Sequence, residues 1–279
     1  RGAEWQALLD PVIGRKVVID DLADRVHACD LLIDPSLDRQ AEAYKGLVPP
    51  KARILTGTRY AMLRPEFARL RRQQGACAAT MAGTPRAKPS RLIISMGGSD
   101  PANATGFVLS ALAGLEPKIR DALHVDVVLG GACPHIEALR LQASSILLKV
   151  ELHIDTPDIA GLLAQADLAF GASGGTSWER CCLGVATIML VLAENQHFIA
   201  GRLSARGAAL NLGVWPEVQP EAVREAFLSL HDNAEALAAM RSAASGLCDG
   251  EGARRVAEAI LDYRSTSGDP ITLRPMRDD

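Results

Sequence analysis

Two short stretches crowd glycine against hydroxyl-bearing residues where a chain could hold a phosphate. One reads SMGGSD (95–100) and the other GASGGTS (171–177), each directly after a short apolar run. Glycine loses more conformational freedom on ordering than any other residue, so such crowding points to a close approach to the backbone. A helix opening after such a turn offers free N–H groups and the positive end of its dipole, which suit a phosphate. Neither stretch ends in Gly-Lys-Ser/Thr like a P-loop, and neither is a GxGxxG with an acidic residue at the right distance. One turn of this kind is as readily an unliganded strand-to-helix connection. Two of them, with Ser99, Thr176 and Ser177 supplying hydroxyls, favour a diphosphate.

Three further groups stand near these turns in the reading. Glu179 lies about one turn into the helix opened by GASGGTSWER, at a depth from which a carboxylate could accept from two ribose hydroxyls. Complementarity to the helix dipole would also place an acid there. ELHIDTPDIAGLL (151–163) starts extended and becomes a helix capped by Asp155 or Thr156. Its extended part could read a base through the backbone of Ile154, with the lone His153 structural. AENQHFIAG (193–201) puts Asn195, Gln196 and His197 after a strand, where each could bond a sugar or, for Asn, cap a helix. His27, His124, His135 and His231 are scattered, and neither a nucleophile elbow nor HExxH is present, so no general base stands out. Cys29, Cys77, Cys133, Cys181, Cys182 and Cys248 form no CxxC pair. That pattern predicts neither a metal site nor a disulfide framework, and fits buried thiols in a reducing cytoplasm.

The elements that must position these residues are legible as periodic runs. RLIIS (91–95), VDVVLG (125–130), ILLKV (146–150), LAFG (168–171), TIMLVL (187–192) and ALNLG (209–213) are short and continuously apolar, as strands buried on both faces of a parallel sheet are. Helical patterns lie between them. Asp100 with Pro101 reads as an N-cap and first helical position, Ile159, Leu162, Leu163 and Ala166 share one face, and Gly207 reads as a C-terminal cap. Strand–helix alternation means a doubly wound α/β domain. KVVID (16–20), DLLID (30–34) and ARILTG (52–57) give a shorter α/β region before it. The expected division is a partial N-terminal domain at 1–74, a linker at 75–90, a main domain at 91–263 and a tail at 264–279. Both ends read as cut. The 279 residues carry a net charge of −3 with no basic block, so a nucleic-acid partner is not expected; RPEFARLRRQQ (64–74) reads as a solvated helix face. No apolar run approaches the ~20 residues of a membrane span.

Taken together, these motifs resemble the glycosyltransferase-B architecture, two Rossmann-like domains with a UDP-sugar held mostly by the second. Within it they are similar to the UDP-2,4-diacetamido-2,4,6-trideoxy-β-L-altropyranose hydrolase family of bacterial pseudaminic acid biosynthesis. The likeness is carried by VIDDLADRVHACDLLIDPSL (18–37), YKGLVPPKARILTGTRYAMLRPEF (44–67), ISMGGSDPAN (94–103), GASGGTSWERCCLGV (171–185) and LAENQ (192–196). It implies a cytoplasmic enzyme without cofactor that hydrolyses a UDP-sugar with inversion at the anomeric carbon. It implies substrate contacts from Gly97, Gly98, Ser99, Asn103, Ile154, Gly174, Gly175, Thr176, Ser177, Glu179 and Gln196, with Asn195 on the sugar side of catalysis. The family's G-x-G-H-x-x-R loop, which carries its catalytic histidine, has no counterpart in these residues. The tail ITLRPMRDD (271–279) is similar to the first strand of an acetyl-CoA-dependent N-acetyltransferase. The chain therefore reads as a segment of a larger hydrolase or hydrolase–acetyltransferase fusion that binds UDP weakly and does not turn over alone. A glycosyltransferase and a non-catalytic nucleotide-sugar-binding protein are the competing readings.

Overall fold

The computed structural model describes residues 3–8, 15–80 and 88–265. Most of the expected tail, and residues 81–87 of the expected linker, lie outside the described residues.

Eight of the nine apolar runs form strands, the ninth, ILLKV, overlaps a strand only at Lys149 and Val150, and all the strands pair in parallel. β1 (Val17–Ile19), β2 (Leu31–Asp34) and β3 (Arg53–Thr56) make a three-stranded sheet in chain order. β4 (Arg91–Ser95), β5 (His124–Leu129), β6 (Lys149–Ile154), β7 (Leu168–Ala172), β8 (Ala186–Val191) and β9 (Leu210–Val214) make a second sheet, ordered β6-β5-β4-β7-β8-β9. The helices are α1 (Ala3–Ala7), α2 (Pro65–Thr80), α3 (Ala104–Ala113), α4 (Pro117–Arg120), α5 (Ile136–Ser145), α6 (Ile159–Gln165), α7 (Thr176–Cys182), α8 (His197–Ala205), α9 (Pro220–His231), α10 (Ala234–Ser245) and α11 (Gly252–Ser265). None of the described helices is long and apolar enough to cross a membrane.

Strand alternation sends neighbouring side chains to opposite faces. On β4, Leu92 and Ile94 join a core with Val108 and Leu112 of α3 and Val223 and Phe227 of α9. Ile93 faces the other core, with Leu163 of α6, Trp178 of α7 and Leu203 of α8. The central strands are therefore wrapped on both sides, which is why their sequences run apolar without a break. β6 departs from this. It begins three residues later than ILLKV suggests, because Ile146 caps α5 and Leu147 is 71% exposed. As an edge strand it has one face that reads polar (Glu151, His153), hiding it from a search for apolar runs.

The division expected from chain order does not follow the packing. α2 continues through 75–80, and its Phe67, fully buried, sits in the core formed with α6 and α7. α11 crosses back the other way: Val256 and Ala259 bury against Leu31, Ile33 and Leu55 of the first sheet. Amphipathic periodicity reveals that a helix has a buried face but not which sheet receives it.

Candidate functional site

After β4 the chain builds outward through β5 and β6, then returns to start β7 on β4's other side. The crevice beyond the carboxyl ends of β4 and β7 is thus the point where strand order reverses, the place where open α/β sheets bind ligands. Both glycine stretches leave from these two strands.

In the second stretch, Gly174 and Gly175 have open space where a Cβ would stand, apart from the Gln196 amide at 3.9 Å from the Gly174 position. The N–H groups of Gly174, Gly175 and Thr176 find no acceptor among the described residues. Gly171 serves another purpose, since a Cβ there would lie 2.5 Å from Nη1 of Arg180. That guanidinium is 3% exposed and threads beneath the turn. Its Nη2 donates to the Ala172 carbonyl (2.7 Å) and to Ser177 Oγ (3.0 Å), and its Nη1 donates to Thr176 Oγ1 (3.1 Å). Burial pulls its pKa down to about 10, so it stays a cation at neutral pH, and its Nε is buried with no hydrogen-bond partner among the described residues. A fixed positive charge therefore lies under a row of open backbone donors, and an anion above that row is attracted strongly in such a low-dielectric setting.

Arg180 also corrects the expected role of Ser177. Ser177 is 1% exposed and its hydroxyl is turned inward to the guanidinium, away from any ligand. Glu179, directly before Arg180 on α7, is half-buried; burial raises its pKa above the ordinary carboxylate value, and its carboxylate accepts no hydrogen bond among the described residues. Gln196 Oε1 accepts from the Leu192 N–H (2.9 Å), which fixes the amide so that its NH₂ faces the Gly174 turn. Asn195 is exposed beside it.

The first stretch is built differently. Gly97 has φ +100°, a conformation that favours glycine, and the Gly98 carbonyl accepts from Gly130 N–H at 2.9 Å. A Cβ on Gly130 would approach that carbonyl to 2.7 Å, so Gly130 exists for this close contact. Asp100 is not the N-cap, and Pro101 is not the first helical residue. α3 starts at Ala104 with Asn103 as its cap, in a left-handed conformation, accepting from Gly106 N–H (3.3 Å). The Asp100 carboxylate, 1% exposed, accepts from the Ala104 (3.0 Å) and Thr105 (2.9 Å) N–H groups. The start of α3 is thus occupied by protein acceptors, and the side-chain oxygen of Asn103 is one of them. Gly98 and Ser99 remain exposed at the mouth.

Asp158 caps α6, in place of Asp155 or Thr156. Asp155 N–H bonds Leu129 across the ladder, and its carboxylate accepts from Gly131 N–H (2.6 Å). Alternation along a parallel ladder then turns the N–H and C=O of Ile154 to the open side of edge strand β6. From β6 to β7 is three strand spacings, roughly 14 Å, the scale of an extended nucleoside diphosphate.

The first sheet contributes a buried polar cluster that motif reading passed over. Tyr44, fully buried, donates one end of a network to Asp20 (2.9 Å) and Asp34 (2.8 Å), and Arg39 Nε donates to Asp34 (2.8 Å). Asp20 follows β1 directly and Asp34 ends β2, so both lie at the carboxyl edge of the first sheet. Arg39 also stacks 4.5 Å from the ring centroid of Phe198 on α8, and Asp38 pairs with Arg206.

No family model matches the chain. It is 30% identical over 215 residues to the spore coat polysaccharide biosynthesis protein SpsG of Bacillus subtilis, covering 77% of this chain and 60% of that protein. It is 24% identical over 194 residues to the UDP-2,4-diacetamido-2,4,6-trideoxy-β-L-altropyranose hydrolase of Campylobacter jejuni, covering 70% of this chain and 64% of that one. The chain thus spans less than two thirds of these curated relatives. Among solved structures, MurG of Acinetobacter baumannii superposes with a TM-score of 0.56 at 19% identity, over 83% of this chain and 67% of that one. MnaA of S. aureus, solved with UDP, gives 0.59 at 13% identity, over 88% and 63%. The chain has the Rossmann-like glycosyltransferase-B fold, as the motifs predict, and is a distant homologue of both curated proteins.

Proposed function

We propose that this chain holds the nucleotide of a UDP-linked 2,4-diacetamido-2,4,6-trideoxy sugar for hydrolysis at the anomeric carbon. The observation that carries the reading is the second glycine turn: open backbone donors and a buried guanidinium below, with an unpartnered carboxylate one turn deeper. A diphosphate on Gly174–Thr176 sets the ribose within reach of Glu179 and extends the base toward the backbone of Ile154. The sugar then lies toward Asn195 and the NH₂ of Gln196. The name of the Campylobacter jejuni relative supports the substrate class, and that of the Bacillus subtilis relative supports polysaccharide biosynthesis.

In the reaction, water attacks C1 from the face opposite the diphosphate. The C1–O bond breaks with its electron pair passing to the β-phosphate oxygen, and the water's proton goes to a base supplied from outside the residues named here. The backbone donors and Arg180 meet charge where it develops on the leaving group, the form of catalysis that preorganised dipoles supply best. Transfer of the same sugar to an acceptor other than water is the second reading, since the fold is shared with WaaG, which is named a glycosyltransferase.

Calorimetric titration with UDP tests the site, and absence of binding rejects it. Incubation of the UDP-sugar with the full-length natural protein separates the reactions. Free sugar formed without acceptor supports hydrolysis, whereas UDP release only with an acceptor establishes transfer. Asn195→Ala is expected to lower turnover more than UDP affinity, and the reverse pattern removes it from the sugar side.

A further inference from the structure

The outer end of the six-stranded sheet carries a side-chain cluster that the proposed reaction does not use. β5 and β6 pair with Asp126 beside Glu151 and Val128 beside His153, so His124, Asp126, Glu151 and His153 project from one face. Over β4 this face is covered, with Ile93 in the core beside α6; over β5 and β6 it stays partly open, and Glu151 is exposed. Asp126 is nevertheless fully buried. Its Oδ2 accepts from Arg91 Nε (2.9 Å), and its Oδ1 receives His153 Nε2 (2.9 Å) and a weaker Arg91 Nη2 contact (3.4 Å). His124 completes the group in an unusual way. Its Nε2 is turned inward and buried yet makes no hydrogen bond among the described residues, standing 3.5 Å from Asp126 Oδ1 and 3.7 Å from Glu151 Oε2.

We propose that His124, Asp126 and Glu151 form a binding site for a divalent first-row transition metal, with Zn²⁺ the ion the donor set suits. Ligands about 2.0–2.1 Å from a tetrahedral ion stand roughly 3.3–3.4 Å from one another. The two measured edges, 3.5 and 3.7 Å, are close to that, and all three donor atoms lie within 4.8 Å of each other. One imidazole and two carboxylates match the N/O preference of such ions. Two acids against the single guanidinium of Arg91 leave a negative charge to attract the cation, while Lys149, opposite His124 in the ladder, is exposed. His153 and Arg91 act as outer partners that orient the Asp126 carboxylate, the arrangement metal ligands ordinarily have. The site lies about three residues, roughly 10 Å, from the carboxyl edge of β5. Its effect is to tie edge strand β6, whose last residue is Ile154, to the body of the sheet. Local spacing rules miss it because the third ligand, Glu151, comes from a different strand and is remote in sequence from His124 and Asp126.

The untagged chain, stripped with chelator and dialysed, is titrated with Zn²⁺ by calorimetry, with the absorption spectrum of bound Co²⁺ as the second readout. One ion per chain is expected. His124→Ala and the isosteric Glu151→Gln each weaken it at least tenfold, and His153→Ala roughly ten- to a hundredfold. The Co²⁺ spectrum shows nitrogen and oxygen ligation without a thiolate charge-transfer band. Wild-type protein that binds no Zn²⁺, folded variants that bind it equally, or a thiolate band assigning the ion to the cysteines each overturn the proposal. Circular dichroism verifies that the variants are folded.

Discussion

Replacing Glu179 separates binding from stability, because the carboxylate acts on the two in opposite directions. It is half-buried and accepts no hydrogen bond among the described residues, so its desolvation is already imposed in the empty site. Burial holds its pKa above the ordinary value; the nearby cations Arg180 and Arg64 only partly offset this. A carboxyl whose folded pKa is raised destabilises the fold at pH values above that pKa, and the penalty fades as pH falls to the unfolded value. Glu179→Gln therefore raises the melting temperature at neutral pH and removes this part of the pH dependence. Binding moves the other way. A ribose hydroxyl donating to a charged acceptor is worth about 1.5–3 kcal/mol, so Glu179→Ala weakens UDP by roughly ten- to 150-fold. Calorimetry at pH 7.5 with UDP and 2′-deoxy-UDP reads this directly, and the wild-type preference for the ribonucleotide should shrink in the variant. An affinity for UDP within twofold of wild type, or loss of both stability and affinity together, refutes the ribose role.

Tyr44→Phe leaves the buried acids Asp20 and Asp34 without their shared donor and should cost about 3 kcal/mol in denaturant titration; an unchanged midpoint contradicts the network. Asp100→Ala leaves the Ala104 and Thr105 N–H groups at the start of α3 without their acceptor and should cost about 1–2 kcal/mol with UDP affinity nearly unchanged, whereas a large loss of affinity would return this turn to the phosphate site. The hydrogen bond from Arg255 holds the Asp249 carboxyl down at about 2, so its stabilisation is present above pH 3.8 and is lost as pH falls toward about 2. Asp249→Asn should flatten the acid limb of a stability–pH curve over that window, modestly because the pair is part-exposed, and an unaltered limb rejects the assignment.

The strands were legible because a parallel sheet buried on both faces demands continuous apolar runs, and Ile93 between Leu92 and Ile94 shows that demand within one strand. The glycine turns were legible for the same reason, as breaks at the ends of those runs. What stayed hidden depended on residues distant in sequence. Arg180 reads as one more helix-surface cation until Gly171 is seen to make room for it. Asp100 reads as an N-cap because Asp-Pro is a common helix opening, and only the extra turn before Ala104 reveals the true start. Gly130 could have been flagged from LGGACP, a glycine pair at a strand end, but its partner Gly98 could not.

The two crossings between the sheets have a mechanical consequence. The chain leaves the first sheet through residues 57–63 and returns through 247–252, and the segments run against each other. Thr58 Oγ1 donates to the Leu247 carbonyl, Arg255 reaches the Arg59 carbonyl (2.9 Å), and Gly252 lies so near Ala61 that a Cβ would fall 2.1 Å from its carbonyl oxygen. Backbone rests on backbone where Gly252 meets Ala61. The junction between the two sheets is therefore fixed by two segments far apart in the chain, and not by one linker alone. A methyl group at position 252 would press on the Ala61 backbone and strain that junction.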